Sequence, residues 1–139
     1  MNWITNRIAI GNALDAQDAD LLKREQVEAI FGLTAALDQY APTDLNVKTI
    51  VIEDLKDDAT NSPGEFVRMV TRLVHLTGSH ARVLVHCQAG QSRSAAIVAG
   101  YLMKTEKLAV DEAVRRVAAK REIRIHPALV MLLDHLEQE

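Results

Sequence analysis

The nine residues His86-Cys87-Gln88-Ala89-Gly90-Gln91-Ser92-Arg93-Ser94 lie between a short apolar run, Val83-Leu84-Val85, and a longer one, residues 95–103. Runs of those lengths read as a buried strand and a buried helix, so the nine residues form the loop that leaves one and enters the other. Val83-Leu84-Val85 has no polar alternation, which suits a strand covered on both faces in a parallel sheet. The helix after the loop, residues 94–104, is apolar nearly all round and contains Gly100, which permits close approach of a neighbour, so it belongs in the middle of the domain.

The rest of the chain alternates in the same way. Residues 4–10 can form a first strand ended by Gly11-Asn12, residues 15–24 a short surface helix, 27–33 a second strand and 47–52 a third. Residues 38–46, with Tyr40, Pro42 and Asp44, show no period and read as a surface connection. An acidic, irregular stretch, residues 53–61, carries Asp54, Asp57 and Asp58 with Leu55 as its one hydrophobic anchor. A helix then opens on Ser62 as N-cap, Pro63 at the first position and Glu65 to complete a capping box, with Gly78 placed to end it. The fourth strand spans residues 82–86. Helices over residues 110–120 and from Pro127 close the chain, the first of them with a poor capping residue, Ala109. This alternation predicts an α/β fold, a single domain over residues 1–139 with a central, mostly parallel sheet of four to five strands flanked by helices.

Composition narrows what such a domain can do. At 139 residues and 48% hydrophobic, the chain holds one well-buried core. A formal charge of −3 and a pI near 5.9 give no basic field for nucleic acid or an anionic membrane, and neither is an expected partner. No apolar run reaches membrane-spanning length, and the first residues lack the layout of a secretory signal, so a cytoplasmic location is expected; a monomer is expected as well. Cys87 is the single cysteine, which excludes an internal disulfide and a multi-cysteine metal site. If that thiol matters, it matters as a reactive group.

A cysteine, five residues and an arginine at the mouth of a helix suit a phosphate dianion, which calls for converging N–H donors and a fixed positive charge. The backbone of Gln88, Ala89, Gly90, Gln91 and Ser92 can turn its amides inward. Gly90 allows the curl, and the small Ala89 and Ser92 keep side chains out of the way. Arg93 offers a planar fork for two phosphate oxygens. The same field favours the Cys87 thiolate, which can attack phosphorus and form a phosphocysteine. Ser94 can donate a hydrogen bond to the sulfur when it leaves, and His86 can brace the loop backbone. The leaving oxygen needs a proton from the opposite side, and Asp54, Asp57 and Asp58 lie 33, 30 and 29 residues before Cys87, at the same sheet edge.

Residues 83–94 match the nucleophile motif of the cysteine-dependent protein tyrosine phosphatase superfamily at its fixed positions, and the chain resembles a small dual-specificity phosphatase. Ile8-Ala9-Ile10-Gly11-Asn12 is similar to that family's first strand and Ile50-Val51-Ile52-Glu53-Asp54 to its general-acid segment. Tyr101-Leu102-Met103 resembles its central helix, and Asp111-Glu112-Ala113 with Arg121-Glu122-Ile123 before Pro127 its C-terminal helices. The resemblance implies phosphoryl hydrolysis with no metal or other cofactor, on a phosphorylated protein substrate. It implies Cys87 as nucleophile, Arg93 as clamp and Asp54 as acid and then base. Asp57-Asp58 is a second acidic pair at positions where some relatives place the acid.

A lone thiol is most often a small core residue, but Arg93, Ser94 and the strand-to-helix setting displace that reading for Cys87. His86 reads as a bracing core histidine rather than a base. Arg121 and Arg124 could meet a second acidic group of the substrate, although arginines at helix ends usually do not. Two alternatives remain: a non-protein phosphate ester (an inositol lipid, a sugar phosphate or an RNA 5′ end), or phosphoprotein binding without turnover. Intact Cys87 and Arg93 argue against the second. Lysine-free positions Gln88, Ala89, Gln91 and Ser92 favour phosphoprotein over the first.

Overall fold

The structure, a computed structural model, describes residues 1–34 and 47–138. The surface connection expected over residues 38–46 lies outside the described residues. Five strands, β1 (Asn2–Trp3), β2 (Ile8–Gly11), β3 (Ala29–Gly32), β4 (Thr49–Ile52) and β5 (Val83–His86), form one sheet in the order β1-β2-β5-β3-β4. All pairs are parallel except β1 with β2. Six helices accompany them among the described residues: α1 (Ala13–Gln17), α2 (Ala19–Arg24), α3 (Pro63–Ser79), α4 (Arg93–Glu106), α5 (Val110–Ala118) and α6 (Pro127–Glu137).

The central strands are buried on both faces, and their side chains divide with the two-residue period of a strand. Ile8, Ile10, Ala29, Phe31, Val83 and Val85 join the larger core beneath α3, α4 and α6. Ala9, Ile30 and Leu84 face a smaller core with Ala16 and Leu22 of α1 and α2. Ten consecutive residues of α4, Ser94 to Met103, are buried, so the all-round apolar pattern did mark a central helix. A Cβ on Gly100 would lie 2.9 Å from Val70 of α3 and 3.3 Å from Leu136 of α6, which is why that close packing requires glycine.

Several boundaries depart from the sequence reading. The first strand does not run through residues 4–10. The Thr5 hydroxyl accepts the amides of Arg7 and Ile8, turning the chain so that β1 folds back antiparallel on β2. The single helix expected over residues 15–24 is two, because Asp18 ends α1 and caps α2 through the Leu21 amide. Ser62 caps α3 by accepting the Glu65 amide, but Glu65 turns towards Arg68 instead of closing the reciprocal half of the box. Gly78 does not end α3, which continues to Ser79 with His80 as its C-cap. Helix α5 starts at Val110 with no side-chain cap on Ala109, as that residue type dictates.

Candidate active site

Register brings the site together. Gly11 and Gly32 both stand opposite His86, and Ile52 stands opposite Gly32, so four parallel strands end in one row. The residues just beyond this row, Asn12, Cys87, Leu33 and Glu53, therefore share the carboxyl edge of the sheet, where open α/β sheets place ligands.

From this edge the loop 87–92 curls with the carbonyls of Cys87 to Gln91, and that of His86 before them, each held by a hydrogen-bond partner, while the Ser92 carbonyl enters α4 by accepting the Ala96 amide. Leu33 N donates to His86 O at 3.0 Å, Ala13 N to Gln88 O at 3.1 Å and Arg124 N to Gln91 O at 2.8 Å. His86 Nδ1 lies 3.4 Å from Cys87 O. Arg121 donates from Nε to Gly90 O at 2.7 Å and from Nη2 to Ala89 O at 3.3 Å. In a trans peptide the carbonyl and the next amide point in opposite directions, so holding these oxygens outward turns the amides that follow them inward. Gly90 has φ +70°, and a Cβ there would sit 2.6 Å from both the Gly11 carbonyl oxygen and the Arg121 guanidinium. Glycine is needed at this position for backbone angle and for space.

Cys87 is 2% exposed, and its Sγ lies 3.2 Å from Oγ of the buried Ser94. Burial pushes the thiol pKa up, but the Ser94 hydroxyl and amide, the Gly90 amide and the Arg93 charge together bring it below the ordinary cysteine value. Burial, helped by the charge of Arg93, also lowers the pKa of the fully buried His86, against the pull of the Cys87 carbonyl and Asp15. That favours a neutral imidazole and agrees with a bracing role. Arg93 opens α4 half-buried, and among the described residues its guanidinium has no hydrogen-bonded partner. Ser92 makes no capping bond to α4, because its hydroxyl accepts the His126 amide at 2.9 Å and donates to Asp57 Oδ1 at 2.5 Å. Of the first-turn amides of α4, Ser94's faces the Cys87 sulfur, and the Ser92 side chain takes none of them.

The three aspartates occupy different settings. Asp54 stands between two buried neighbours, Glu53 at 6% and Leu55 at 0% exposure, with its own carboxylate exposed and 3.2 Å from Lys56 Nζ. Asp57 meets the rim of the loop through Ser92. Asp58 accepts from the Thr60 hydroxyl and amide, which hold its pKa below the usual carboxylate value. The sequence reading overlooked three supports. Glu53 is one, paired with Arg68 at 2.9 Å and Arg72 at 2.6 Å. Burial pushes its pKa up, and the two guanidinium groups outweigh that and bring it down. Asn61 bridges the loop through Lys56 N and O. Arg121, read as an idle or substrate-facing arginine, instead grips the cradle; the i, i+4 spacing of Arg68 and Arg72 could have signalled the Glu53 site, whereas backbone acceptors leave no mark in a sequence.

Comparison with known proteins places the chain in a family. Residues 8–138 match the family profile described as dual specificity phosphatase, catalytic domain. The chain is 33% identical over 115 residues to human dual specificity protein phosphatase 1, covering 82% of this chain and 30% of that protein. It is 28% identical over 140 residues to Arabidopsis thaliana dual specificity protein phosphatase 1B, covering 99% of this chain and 82% of the relative. The chain thus spans under a third of the length of several curated relatives it matches. Among solved structures, human DUSP28 superposes with a TM-score of 0.86 at 21% identity, covering 99% of this chain and 96% of that one. The human tyrosine phosphatase-like serine/threonine/tyrosine-interacting protein gives a TM-score of 0.83 at 23% identity over 99% and 95% of the two chains. At those identities the two structures speak for the fold.

Proposed function

The chain belongs to the dual specificity phosphatase catalytic-domain family, and on that premise we propose that it hydrolyses phosphotyrosine, and phosphoserine or phosphothreonine, on proteins through a phosphocysteine at Cys87. The observation that carries the reading is the cradle: a buried thiol of lowered pKa met by the Gly90 and Ser94 amides, with the fork of Arg93 beside it and, among the described residues, without a hydrogen-bonded partner.

In the first step the Cys87 thiolate attacks phosphorus, the bond from phosphorus to the ester oxygen breaks, and a carboxylic acid protonates the departing oxygen. Arg93 and the inward amides of loop 87–92 hold the equatorial oxygens, whose charge is spread in the transition state. In the second step the same carboxylate takes a proton from water, the oxygen attacks phosphorus, and the sulfur–phosphorus bond breaks. Ser94 Oγ, 3.2 Å from the sulfur, stabilises the thiolate as it leaves, and inorganic phosphate is released.

We assign the acid to Asp54, because its buried neighbours fix its backbone while its carboxylate stays free of core contacts. Asp57 is the second reading, favoured by its direct contact with Ser92. Asp58 is a poorer acid, since the Thr60 hydrogen bonds favour its charged form. The reading also includes a monomer in the cytoplasm. All proposed site residues come from one chain, and a nucleophilic thiolate without a second cysteine works only where it is kept reduced.

A panel of phosphotyrosine, phosphoserine and phosphothreonine peptides, with an inositol phosphate beside them, tests the proposal. Phosphate release from the phosphotyrosine peptides that vanishes in Cys87→Ser is the expected result. Turnover of the inositol phosphate alone, or of nothing, would overturn it.

A further inference from the structure

Arg121 follows α5 and lies half-buried beneath the loop, with hydrogen bonds in three directions. Besides its bonds to the Gly90 and Ala89 carbonyls at 2.7 and 3.3 Å, Nη1 donates to Asn2 Oδ1 of β1 at 2.8 Å and to Ile10 O of β2 at 3.3 Å. These bonds use most of the donors a guanidinium has, so Arg121 is not available to a second acidic group on a substrate without releasing the loop. The other outward carbonyls of the loop are held by backbone amides of Leu33, Ala13 and Arg124 or by the adjacent His86 ring. Among the described residues, Ala89 and Gly90, at the crown of the curl, are the positions where a charged side chain from a distant part of the chain does this. A lysine could not replace it, because a single ammonium cannot span acceptors on the loop and on two strands at once.

We propose that Arg121 is a positioning residue for the phosphate cradle, holding the Ala89 and Gly90 carbonyls outward so that the amides of Gly90 and Gln91 face the Cys87 sulfur and the bound phosphate. The proposal rests on the phosphatase reading above. Its physical basis is peptide planarity: releasing the Ala89 carbonyl frees the Gly90 amide to rotate away from the sulfur, and releasing the Gly90 carbonyl does the same for Gln91. The Gly90 amide is one of the groups that lower the thiol pKa, so Arg121 acts on the nucleophile at one remove without touching it. The guanidinium lies within 2.6 Å of where a Gly90 Cβ would be, so it sits directly against the crown of the loop and leaves no room for a side chain at Gly90.

Two measurements that do not need turnover test this. Cys87 is the single cysteine, so the pH dependence of iodoacetamide alkylation reads its pKa alone. Calorimetric titration with orthovanadate reads the cradle. In Arg121→Met the thiol pKa should rise by about one unit and vanadate affinity should fall about tenfold, the scale of one charge-assisted hydrogen bond. Arg121→Lys should shift both in the same direction by less, and it carries the test if Arg121→Met does not fold. A role confined to stability would lower the melting temperature and leave pKa and affinity unchanged; that result in a folded variant overturns the assignment. If the wild-type thiol titrates at the ordinary cysteine value and does not bind vanadate, the phosphatase reading falls and takes this assignment with it. A wild type that passes both tests beside a matching Arg121→Met overturns the Arg121 role alone.

Discussion

At the scale of single residues, the site turns on two groups with opposite protonation needs. Cys87 must lose its proton in a place that burial makes hostile to charge, and two Ser94 donors, the Gly90 amide and Arg93 outweigh the burial. The acid must keep its proton until the leaving oxygen needs it. Asp54→Asn should therefore leave hydrolysis of aryl phosphates with weakly basic leaving groups nearly unchanged and slow strongly basic ones by about 100-fold, the usual worth of a positioned acid. A leaving-group series on both variants checks this, and the same dependence in Asp57→Asn with none in Asp54→Asn would transfer the role. Cys87 and Arg93 were legible in the sequence because their chemistry is contained in one short linear motif. Arg121 was not, since three of its four acceptors, Ala89 O, Gly90 O and Ile10 O, are backbone atoms that no residue type announces, and the fourth, Asn2 Oδ1, lies at the far end of the sequence.

At the scale of elements, the acidic loop is held at both ends and across its middle. Ser62 caps α3 on one side, Asn61 bridges to Lys56, and Glu53 is gripped by Arg68 and Arg72 from α3. The fixed ends are those expected from the strand before the loop and the capped helix after it; the Asn61 and Glu53 contacts are additional to the one hydrophobic anchor expected, Leu55. That anchor is present and fully buried, but a buried carboxylate adjoins it. Glu53→Gln should cost about 1–2 kcal/mol, less than a fully buried pair would, because both guanidinium groups are half exposed. Chemical denaturation measures that cost. A matching fall in kcat with the Cys87 thiol pKa unchanged would place the effect on the acid loop. The Arg68 and Arg72 spacing marked a cationic face on α3, but that Glu53 is its partner was not legible, because an acidic residue at a strand end normally points to water and the fold is what brings α3 across it.

At the scale of the whole molecule, β5, the strand that ends at Cys87, sits in the centre of the sheet, flanked by β2 and β3. That position was legible in the unbroken apolar run before Cys87. The N-terminal hairpin was not, because a Thr5 side chain that bonds to nearby amides breaks an otherwise strand-like pattern. The central position also sets an acid limit on stability. His86 is buried and its pKa lies below the free value of 6.5, so its neutral form favours folding fully above pH 6.5, and that contribution is lost as pH falls below it. Glu53, lowered from 4.5, adds a second loss at more acidic pH. Denaturation midpoints should therefore fall from pH 7.5 to 5, and His86→Asn should show a smaller slope across that window whatever its absolute stability. Equal slopes would contradict a buried neutral His86.

The central claim is covalent catalysis at Cys87, and the direct measurement is a rapid acid quench of the wild-type protein with a phosphotyrosine peptide, followed by mass spectrometry of the digested chain. A phosphoryl group on the Cys87 peptide, formed within the first turnover and absent from Cys87→Ser, is the predicted result. Peptide turnover that persists in Cys87→Ser would contradict the account.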